Sequence, residues 1–291
     1  MASGIIIIDK PQGWTSQDVA ARLRRVFGTR RVGHGGTLDP MATGVLPVMV
    51  GRATRGAAFL ENARKQYMAT LRLGLLTDTE DTTGTVLEIR PVTVGREDVE
   101  AMFRRFLGRQ MQVPPMYSAV KVDGKKLYTL ARQGQHIERA PRPIEIYRLE
   151  LVQVQDRDYT FLVDCSKGTY IRTLCKDIGL ALGCGGTMAA LRRTQAGAYS
   201  LDDAISLECL LDMAEAGDPV ERLLRPVDSL FPHCPKVELS PKQERICRNG
   251  GVFSTALPSG DYRLYGGGEF LALARCAGGE MKTIKSFFEV N

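Results

Sequence analysis

The run of four isoleucines from Ile5 to Ile8 is the feature that most restricts how this chain begins to fold. β-branched side chains favour strands, and an unbroken apolar run is typical of a strand that is buried on both faces. Asp9, Lys10 and Pro11 end the run at once. A secretory signal needs about 7–15 apolar residues, and a membrane-spanning helix needs about 18. We therefore predict a buried first strand in a cytoplasmic protein that does not bind a membrane.

The rest of the chain alternates strand-like and helix-like segments in no regular order. Apolar spacing predicts a helix capped by Ser16, a second helix over 97–107, and a third from Tyr170 to about Leu182. A strand is predicted over 67–73. Regular βαβ spacing and a GxGxxG motif are both missing from the sequence, so we predict a mixed sheet with helices rather than a dinucleotide-binding fold.

The basic residues are concentrated in one part of the chain, although the net charge is only +6. Nine basic residues and two acidic ones lie in 104–142, which we call the basic segment, whereas 202–228 holds eight acidic residues and two arginines. Such asymmetry indicates one face that binds a polyanion, but charge alone leaves a merely solvated surface equally open. Four prolines also predict a long functional loop over 110–143, with a short helix around Leu127 to Arg132. The basic residues of the segment are Arg104, Arg105, Arg109, Lys121, Lys125, Lys126, Arg132, Arg139 and Arg142.

The seven cysteines and three histidines are widely separated, and the sequence contains neither CxxC nor HExxH. Metal ligands usually cluster at short spacing. We therefore expect no metal site, and we predict reduced and mostly buried thiols.

The character of the sequence changes over residues 226–241. Prolines interrupt the chain at Pro226, Pro232, Pro235 and Pro241, and short β-like segments separated by glycines follow. This pattern is typical of a small β domain after a linker. We predict a larger domain over 1–228 and a C-terminal β domain over 229–291.

The glycine-rich loop that ends in Asp39 and Pro40 carries the most informative side chains. Glycines allow close backbone approach and unusual φ angles, and Pro40 restricts Asp39 towards extended conformations. Taken alone, this loop could be an ordinary turn. A phosphate-binding loop would need GxxxxGK[ST], and a phospho-aspartate enzyme would need further acids for magnesium. A carboxylate that acts on a nucleoside needs neither.

The stretch GGTLDPMATGVLPV resembles the catalytic motif of the TruB-type tRNA pseudouridine-55 synthases, the bacterial stand-alone type. Further resemblances follow in the family's order and cover roughly the first 200 residues. They are DKPQGWTS at the N-terminus, KQYMATLRLG at 65–74, QVPPMYSAVKVDGKKLYTLARQG at 112–134, CSKGTYIRTL at 165–174 and LRRTQAG at 191–197.

This resemblance implies a pseudouridine-synthase fold, an α/β (α+β) class with a central mixed, mainly antiparallel sheet flanked by helices and loops. It also implies a C-terminal PUA-like β domain that binds RNA. The implied reaction isomerises uridine 55 in the T arm of tRNA and needs no cofactor. The substrate would be the tRNA T stem-loop, and the enzyme would be a monomer that needs no protein partner.

The resemblance also implies a role for each residue that matches a site residue of the family. Asp39 resembles the catalytic aspartate, and Arg172 resembles the arginine that pairs with this carboxylate. His34 resembles the histidine that enters the T loop and helps to hold the target nucleotide outside it. Three residues resemble those that contact the uracil. They are Tyr67, which stacks on the base, and the pocket residues Tyr170 and Leu191.

Three other functions remain open. A related pseudouridine synthase could depend on a guide RNA and partner proteins, and a protein that only folds tRNA could bind the same RNA without catalysis. A metal-dependent phosphohydrolase is the third possibility, and it would lose activity when a chelator is added.

Overall fold

The structure is a computed structural model. It describes residues 2–118, 120–122, 124–131, 133–135 and 137–289. For Lys121 and Lys126 it describes the backbone alone. Asp123, Arg132 and His136 lie outside the described residues, so the predicted place of Arg132 in the basic segment and in the short helix is not tested.

Helices and strands follow one another along the chain in no regular order, as the sequence predicts. The α-helices of the described residues are α1 (Ser16–Val26), α2 (Ala57–Asn62), α3 (Arg96–Arg105), α4 (Leu127–Ala131), α5 (Ile171–Ala181), α6 (Leu207–Glu215) and α7 (Pro241–Arg248). The first strands are β1 (Gly4–Lys10), β2 (Val32–His34), β3 (Thr43–Val50), β4 (Lys65–Leu73), β5 (Leu75–Thr77), β6 (Val86–Ile89), β7 (Gly108–Gln112), β8 (Lys121–Val122), β9 (Lys125–Lys126), β10 (Arg142–Gln155) and β11 (Asp158–Cys165). The remaining strands are β12 (Gly186–Ala196), β13 (Tyr199–Ser200), β14 (Ile205–Ser206), β15 (Lys236–Glu238), β16 (Phe253–Ser254), β17 (Gly260–Gly266), β18 (Glu269–Ala277) and β19 (Glu280–Ser286).

The chain forms two compact units, which are described separately. The first unit comprises Met1–Pro40, Val45–Glu61 and Ala198–Asn291. The second unit comprises Met41–Gly44 and Asn62–Gly197. Among the described residues, no helix has both the length and the apolar character needed to cross a membrane.

The second unit is built on antiparallel strands in the order β7, β10, β11, β4 and β12. Side chains of β4 alternate between buried and half-buried, as expected for a strand with one face in the core. Helix α5 packs against β12 and β4, and α3 packs against β10. The rings of Phe103 and Phe161 meet edge to face with centroids 5.2 Å apart in this core. The predicted strand 67–73 and the predicted helices over 97–107 and 170–182 are confirmed to within about two residues.

The start of β3 makes the pairing mixed. Thr43 and Gly44 pair in parallel with Arg192 and Arg193 of β12. Gly44 has a φ of +100°, and a Cβ atom there would lie 2.2 Å from the carbonyl oxygen of Arg193. Only glycine fits this position, because both the backbone angle and the space exclude a side chain.

The first unit contains the predicted buried strand. Ile5 and Ile8, the first and last residues of the isoleucine run, are fully buried, and Ile8 pairs in parallel with Ile205 of β14. The predicted N-terminal cap of α1 was wrong, because Thr15 performs this role rather than Ser16. The Thr15 hydroxyl accepts the backbone N–H of Asp18 at 3.0 Å, and the Asp18 carboxylate accepts the backbone N–H of Thr15 at 3.0 Å.

The first unit also holds a separate five-stranded sheet in the order β15, β17, β18, β19 and β16. The C-terminal β domain is thereby confirmed, as is the mixed α/β class with mainly antiparallel pairing. Phe231 of the preceding segment is buried against this sheet. Its ring centroid lies 4.9 Å from that of Phe59, 5.8 Å from that of Phe287 and 6.2 Å from that of Phe270. The domain boundary at residue 229 remains a prediction.

The predicted loop over 110–143 contains several short elements in its described part. Strand β7 runs on to Gln112, β8 and β9 form a small hairpin, and α4 ends at Ala131. Buried Met116, Leu127 and Leu130 form a small apolar cluster of their own. Local packing therefore orders the described residues around this cluster.

Candidate active site

The loop that carries His34 and Asp39 begins at the end of β2. His34 pairs with Val48 of β3, and the N–H of Gly35 donates to the carbonyl oxygen of Pro47 at 2.8 Å. A Cβ atom on Gly35 would lie 2.6 Å from the Cβ of Leu60, so this glycine is needed for close approach. Gly36 has a φ of +106°, which other residues rarely adopt. These two glycines let the chain turn sharply from the strand towards Asp39.

Ser16 fixes the residue immediately before Asp39. Its hydroxyl accepts the backbone N–H of Leu38 at 2.8 Å and donates to the carbonyl oxygen of Leu38 at 3.2 Å. Ser16 is 1% exposed and Leu38 is 3% exposed, so both hydrogen bonds are shielded from water. The half-buried Asp39 thus extends from a backbone position that is held on its N-terminal side.

Lys10 fixes the residue that follows Asp39. Its side chain is fully buried, and its ammonium group donates to the carbonyl oxygens of Pro11 at 2.9 Å, Trp14 at 2.7 Å and Pro40 at 3.5 Å. The carbonyl of Pro40 also accepts the N–H of Gly13 at 2.8 Å. The segment DKPQGWTS therefore anchors the loop on both sides of Asp39.

Tyr67 and Leu191 lie on the same buried face of the second unit's sheet. Tyr67 of β4 pairs with Arg193 of β12, and Leu191 pairs with Ala69. Residues two apart along a strand share a face, so Leu191 and Tyr67 are diagonal neighbours. Tyr67 is 8% exposed and Leu191 is 9% exposed. The two predicted base-contacting residues are thus brought together.

Tyr170 is the residue immediately before α5, and Gln112 clamps its backbone. The Gln112 side-chain oxygen accepts the Tyr170 N–H at 2.8 Å, and its nitrogen donates to the Tyr170 carbonyl oxygen at 3.0 Å. Gln112 is 4% exposed at the end of β7. Tyr170 is thereby tied to the start of the predicted loop.

Arg172 lies in the first turn of α5 and is 4% exposed. Its guanidinium donates to the carbonyl oxygens of Thr79 at 2.9 Å and Tyr117 at 2.8 Å. One of its nitrogens lies 3.8 Å from a carboxylate oxygen of Asp81, which is 5% exposed. The implied pairing of Arg172 with Asp39 remains a prediction, because the two residues belong to different units.

Asp81 was not among the predicted site residues. Its carboxylate accepts the hydroxyl of Thr79 at 2.8 Å and both the N–H and the hydroxyl of Thr83, at 3.0 and 2.5 Å. Buried carboxylates are rare unless they are paired or hydrogen-bonded. Lys10, Ser16 and Gln112 were also missed as individual residues, because their partners are distant in sequence.

Two arginines of α1 have protein partners. Arg22 lies 3.4 Å from Glu215, and Arg24 donates to the carbonyl oxygen of Val32 at 3.3 Å. Arg25 is exposed, and so is Arg109 of the basic segment, whose side chain is 89% exposed although it lies 3.7 Å from Glu145. The exposed arginines are therefore the better candidates for phosphate contacts.

Two family descriptions match the chain. Residues 24–171 match the TruB family pseudouridylate synthase N-terminal domain, and residues 172–232 match the tRNA pseudouridylate synthase B C-terminal domain.

Named relatives extend this similarity over most of the chain. A tRNA pseudouridine synthase B of Ralstonia pickettii (strain 12J) is 47% identical over 270 residues, 90% of this chain and 84% of the relative. The same enzyme of Azoarcus sp. (strain BH72) is 44% identical over 285 residues, 97% of this chain and 94% of the relative.

Solved structures agree with these relatives. A Cbf5-Nop10-Gar1 complex has a chain that is 28% identical, with a TM-score of 0.75 over 98% of this chain and 85% of that one. An H/ACA RNP bound to a substrate RNA containing 2'-deoxyuridine gives 26% identity and a TM-score of 0.74, again over 98% and 85%. The chain therefore belongs to the TruB family of pseudouridylate synthases.

Proposed function

We propose that this chain isomerises uridine to pseudouridine at position 55 in the T arm of tRNA, with Asp39 as its catalytic carboxylate. The observation that carries the proposal is the anchoring of the Asp39 loop by Ser16 and Lys10. A catalytic group must be held within a fraction of an ångström of its working position. The double anchor supplies this rigidity in a chain whose family performs pseudouridine synthesis.

The reaction breaks the N1–C1′ bond of uridine, rotates the freed uracil and forms a C5–C1′ bond. C5 then loses its proton and N1 gains one. No atom is gained or lost from the heavy-atom framework, so neither an oxidant nor an energy donor is needed. The C1′ carbon becomes electron-poor, as at other glycosidic centres. A carboxylate can attack C1′ or take the proton from C2′, and both routes require Asp39 to be ionised. A neighbouring guanidinium favours the ionised form of a carboxylate, which is the role that we assign to Arg172.

The target base must leave the T loop to reach this carboxylate. Extrusion costs a few kcal/mol, and stacking on an aromatic ring offsets part of that cost. Tyr67 provides the ring, and Leu191 and Tyr170 complete the pocket around the uracil. His34 enters the space that the base has vacated. Exclusion of water from this pocket prevents hydrolysis while the uracil turns.

The basic segment holds the RNA phosphates. Each phosphate contact releases counterions, so the affinity should fall steeply as salt rises. Shape and splayed bases rather than duplex sequence would provide the specificity. We also propose that residues 229–291 form a PUA-like RNA-binding domain, and that the enzyme works in the cytoplasm as a monomer without metal, cofactor or protein partner.

The test is to incubate the purified chain with an unmodified T stem-loop transcript and to map pseudouridine at single-nucleotide resolution. We expect conversion of one uridine, at the position equivalent to 55, with the same rate in the presence of EDTA. Strict dependence on an added guide RNA would favour the guide-dependent alternative. Binding without conversion would favour the tRNA-folding alternative, and loss of activity with EDTA would favour a metal enzyme.

A further inference from the structure

The loop 78–85 between β5 and β6 is bound to helix α5 through Glu80. The Glu80 side chain is 10% exposed. Its carboxylate accepts the hydroxyl of Thr173 at 2.5 Å and the ammonium of Lys176 at 2.5 Å, both on α5. Glu80 is thus a buried carboxylate with two strong, charge-assisted partners.

The neighbours of Glu80 bind Arg172, which precedes Thr173 in the chain. The carbonyl oxygen of Thr79 accepts a guanidinium N–H at 2.9 Å, and the carboxylate of Asp81 lies 3.8 Å from the same nitrogen. Three consecutive loop residues therefore contact three residues of the first two turns of α5. Glu80 is the middle member of this set.

The backbone of Glu80 shows how strongly the loop is constrained. Its φ is +64°, in the left-handed region that non-glycine residues seldom adopt. Such a conformation persists only where surrounding contacts determine it. The Glu80 side chain is hydrogen-bonded to Thr173 and Lys176. Its backbone is held as well, because the N–H of Met188 donates to the Glu80 carbonyl oxygen at 3.0 Å. This conformation sets the direction of the two residues that flank Glu80.

We propose that Glu80, held by Thr173 and Lys176, is a positioning residue for Arg172. This inference rests on the proposed function, in which Arg172 faces the reacting carboxylate. Glu80 fixes the loop so that the Thr79 carbonyl and the Asp81 carboxylate orient the guanidinium plane. Without it the loop relaxes, and Arg172 adopts several orientations of which only some support the reaction.

The chemical step and RNA binding should respond differently to the loss of the Glu80 carboxylate. Glu80→Gln keeps the size of the side chain and an oxygen for Thr173, but it removes the charge that binds Lys176. We expect the single-turnover rate on a T stem-loop transcript to fall about tenfold, since small misplacements of an active-site group carry large rate penalties. The dissociation constant of the transcript should stay within about twofold of the wild-type value, because phosphate contacts dominate affinity.

A matched control separates positioning from general stability. Asp158→Asn breaks the pair in which Arg72 donates to both carboxylate oxygens of Asp158, at 2.7 and 2.6 Å, within the same unit. This pair does not involve α5. The Arg72 and Asp158 side chains are 42% and 29% exposed, so we expect Asp158→Asn to lower the melting temperature less than Glu80→Gln, with no loss of single-turnover rate. Lys176→Met is the second test variant, and it should also slow the step, by about threefold.

A double variant tests whether Glu80 acts through the Arg172 contacts. In an Asp81→Asn background, Glu80→Gln should slow the reaction much less than in the wild type. The Asp81 contact through which Glu80 orients Arg172 is already weakened there. If Glu80→Gln reacts at the wild-type rate while Arg172→Lys is slow, the positioning role of Glu80 is overturned and the proposed function of Arg172 stands. If the rate losses of Glu80→Gln and Asp81→Asn multiply fully in the double variant, the positioning role is also overturned. A wild-type rate for Arg172→Lys would overturn both this role and the proposed function of Arg172.

Discussion

The hydroxyl of Ser16 holds the backbone of Leu38 from both sides, accepting its N–H at 2.8 Å and donating to its carbonyl at 3.2 Å. The two residues are 22 positions apart in sequence and both are buried. One side chain thereby joins the start of α1 to the residue before Asp39. The rigidity of the proposed catalytic loop depends on this contact.

Ser16→Ala should therefore reduce both stability and activity. The change leaves the N–H and the carbonyl of Leu38 without this partner in a buried place, which should cost about 2 kcal/mol of the free energy of unfolding. Ser206→Ala is the control, because Ser206 caps α6 by accepting the N–H of Cys209 at 3.1 Å and its loss costs about 1 kcal/mol. Urea unfolding and single-turnover rates would be measured for both. A normal rate for Ser16→Ala would show that the Leu38 anchor does not serve catalysis.

Asp177 should make the folded protein less stable at neutral pH. Burial raises the pKa of its carboxyl to about 6, although the nearby Lys176 opposes the shift. Between about pH 4 and pH 6 the folded chain retains a proton that the unfolded chain releases, so stability falls as the pH rises through this window. The side chain is 39% exposed, which limits the effect to about 1 kcal/mol.

Asp177→Asn removes this charge without changing the size of the side chain. We expect the variant to exceed the wild type in free energy of unfolding by about 1 kcal/mol at pH 7 and to match it near pH 4. Urea unfolding curves at both values provide the comparison. A variant that is less stable than the wild type at pH 7 would contradict the assigned environment of Asp177.

The cysteines should differ widely in reactivity, since Cys209 is exposed and five others are buried. Burial raises the pKa of the Cys165 thiol to about 12 and also raises the pKa of Cys175. Because the thiolate is the reactive form, brief iodoacetamide treatment at pH 8 should label Cys209 well before Cys165 and Cys175. Peptide mapping by mass spectrometry would identify the labelled sites. Cys209→Ser should abolish the fast labelling and leave the isomerisation rate unchanged, whereas equally fast labelling of Cys165 would count against the burial described here.

Phe231→Ala should weaken the packing of the C-terminal sheet. The Phe231 ring is 6% exposed and contacts Phe59, Phe270 and Phe287. Deleting it leaves a cavity that should cost about 3–4 kcal/mol of the free energy of unfolding, whereas Phe231→Leu should cost much less. Hydrogen exchange would then show faster amide exchange in β17 and β18 for Phe231→Ala. Unchanged exchange there would mean that the sheet is stable without this ring.

Local patterns in the sequence predicted much of the fold. The isoleucine run gave a buried strand because no other structure places four consecutive β-branched side chains in a core so readily. The helix caps were harder to predict. Thr15 and Ser16 are both good capping residues, and the reciprocal bonds between Thr15 and Asp18 place the cap at Thr15. Ser16 contacts Leu38 instead, and this long-range contact is invisible to a local rule.

The site was predictable through motifs but not through spacing. Asp39 and His34 stand on one loop, and Tyr67 and Leu191 are adjacent only because β4 pairs with β12. No periodicity in the sequence reveals that pairing. Asp81 was not predicted because an acidic residue in a polar loop is usually exposed to solvent. Its burial beside Arg172 arises from long-range packing.

The central claim concerns Asp39, and one assay tests it most directly. Formation of the C5–C1′ bond releases the hydrogen from C5, so tritium release from 5-labelled uridine in a T stem-loop follows the reaction. We predict that Asp39→Asn loses about 1000-fold or more in single-turnover rate while its dissociation constant for the transcript stays within about threefold. Asp203→Asn, which removes a carboxylate paired with Arg225 at 2.7 Å, should retain the wild-type rate. Tritium release by Asp39→Asn at the wild-type rate would contradict the assignment of Asp39 as the catalytic residue.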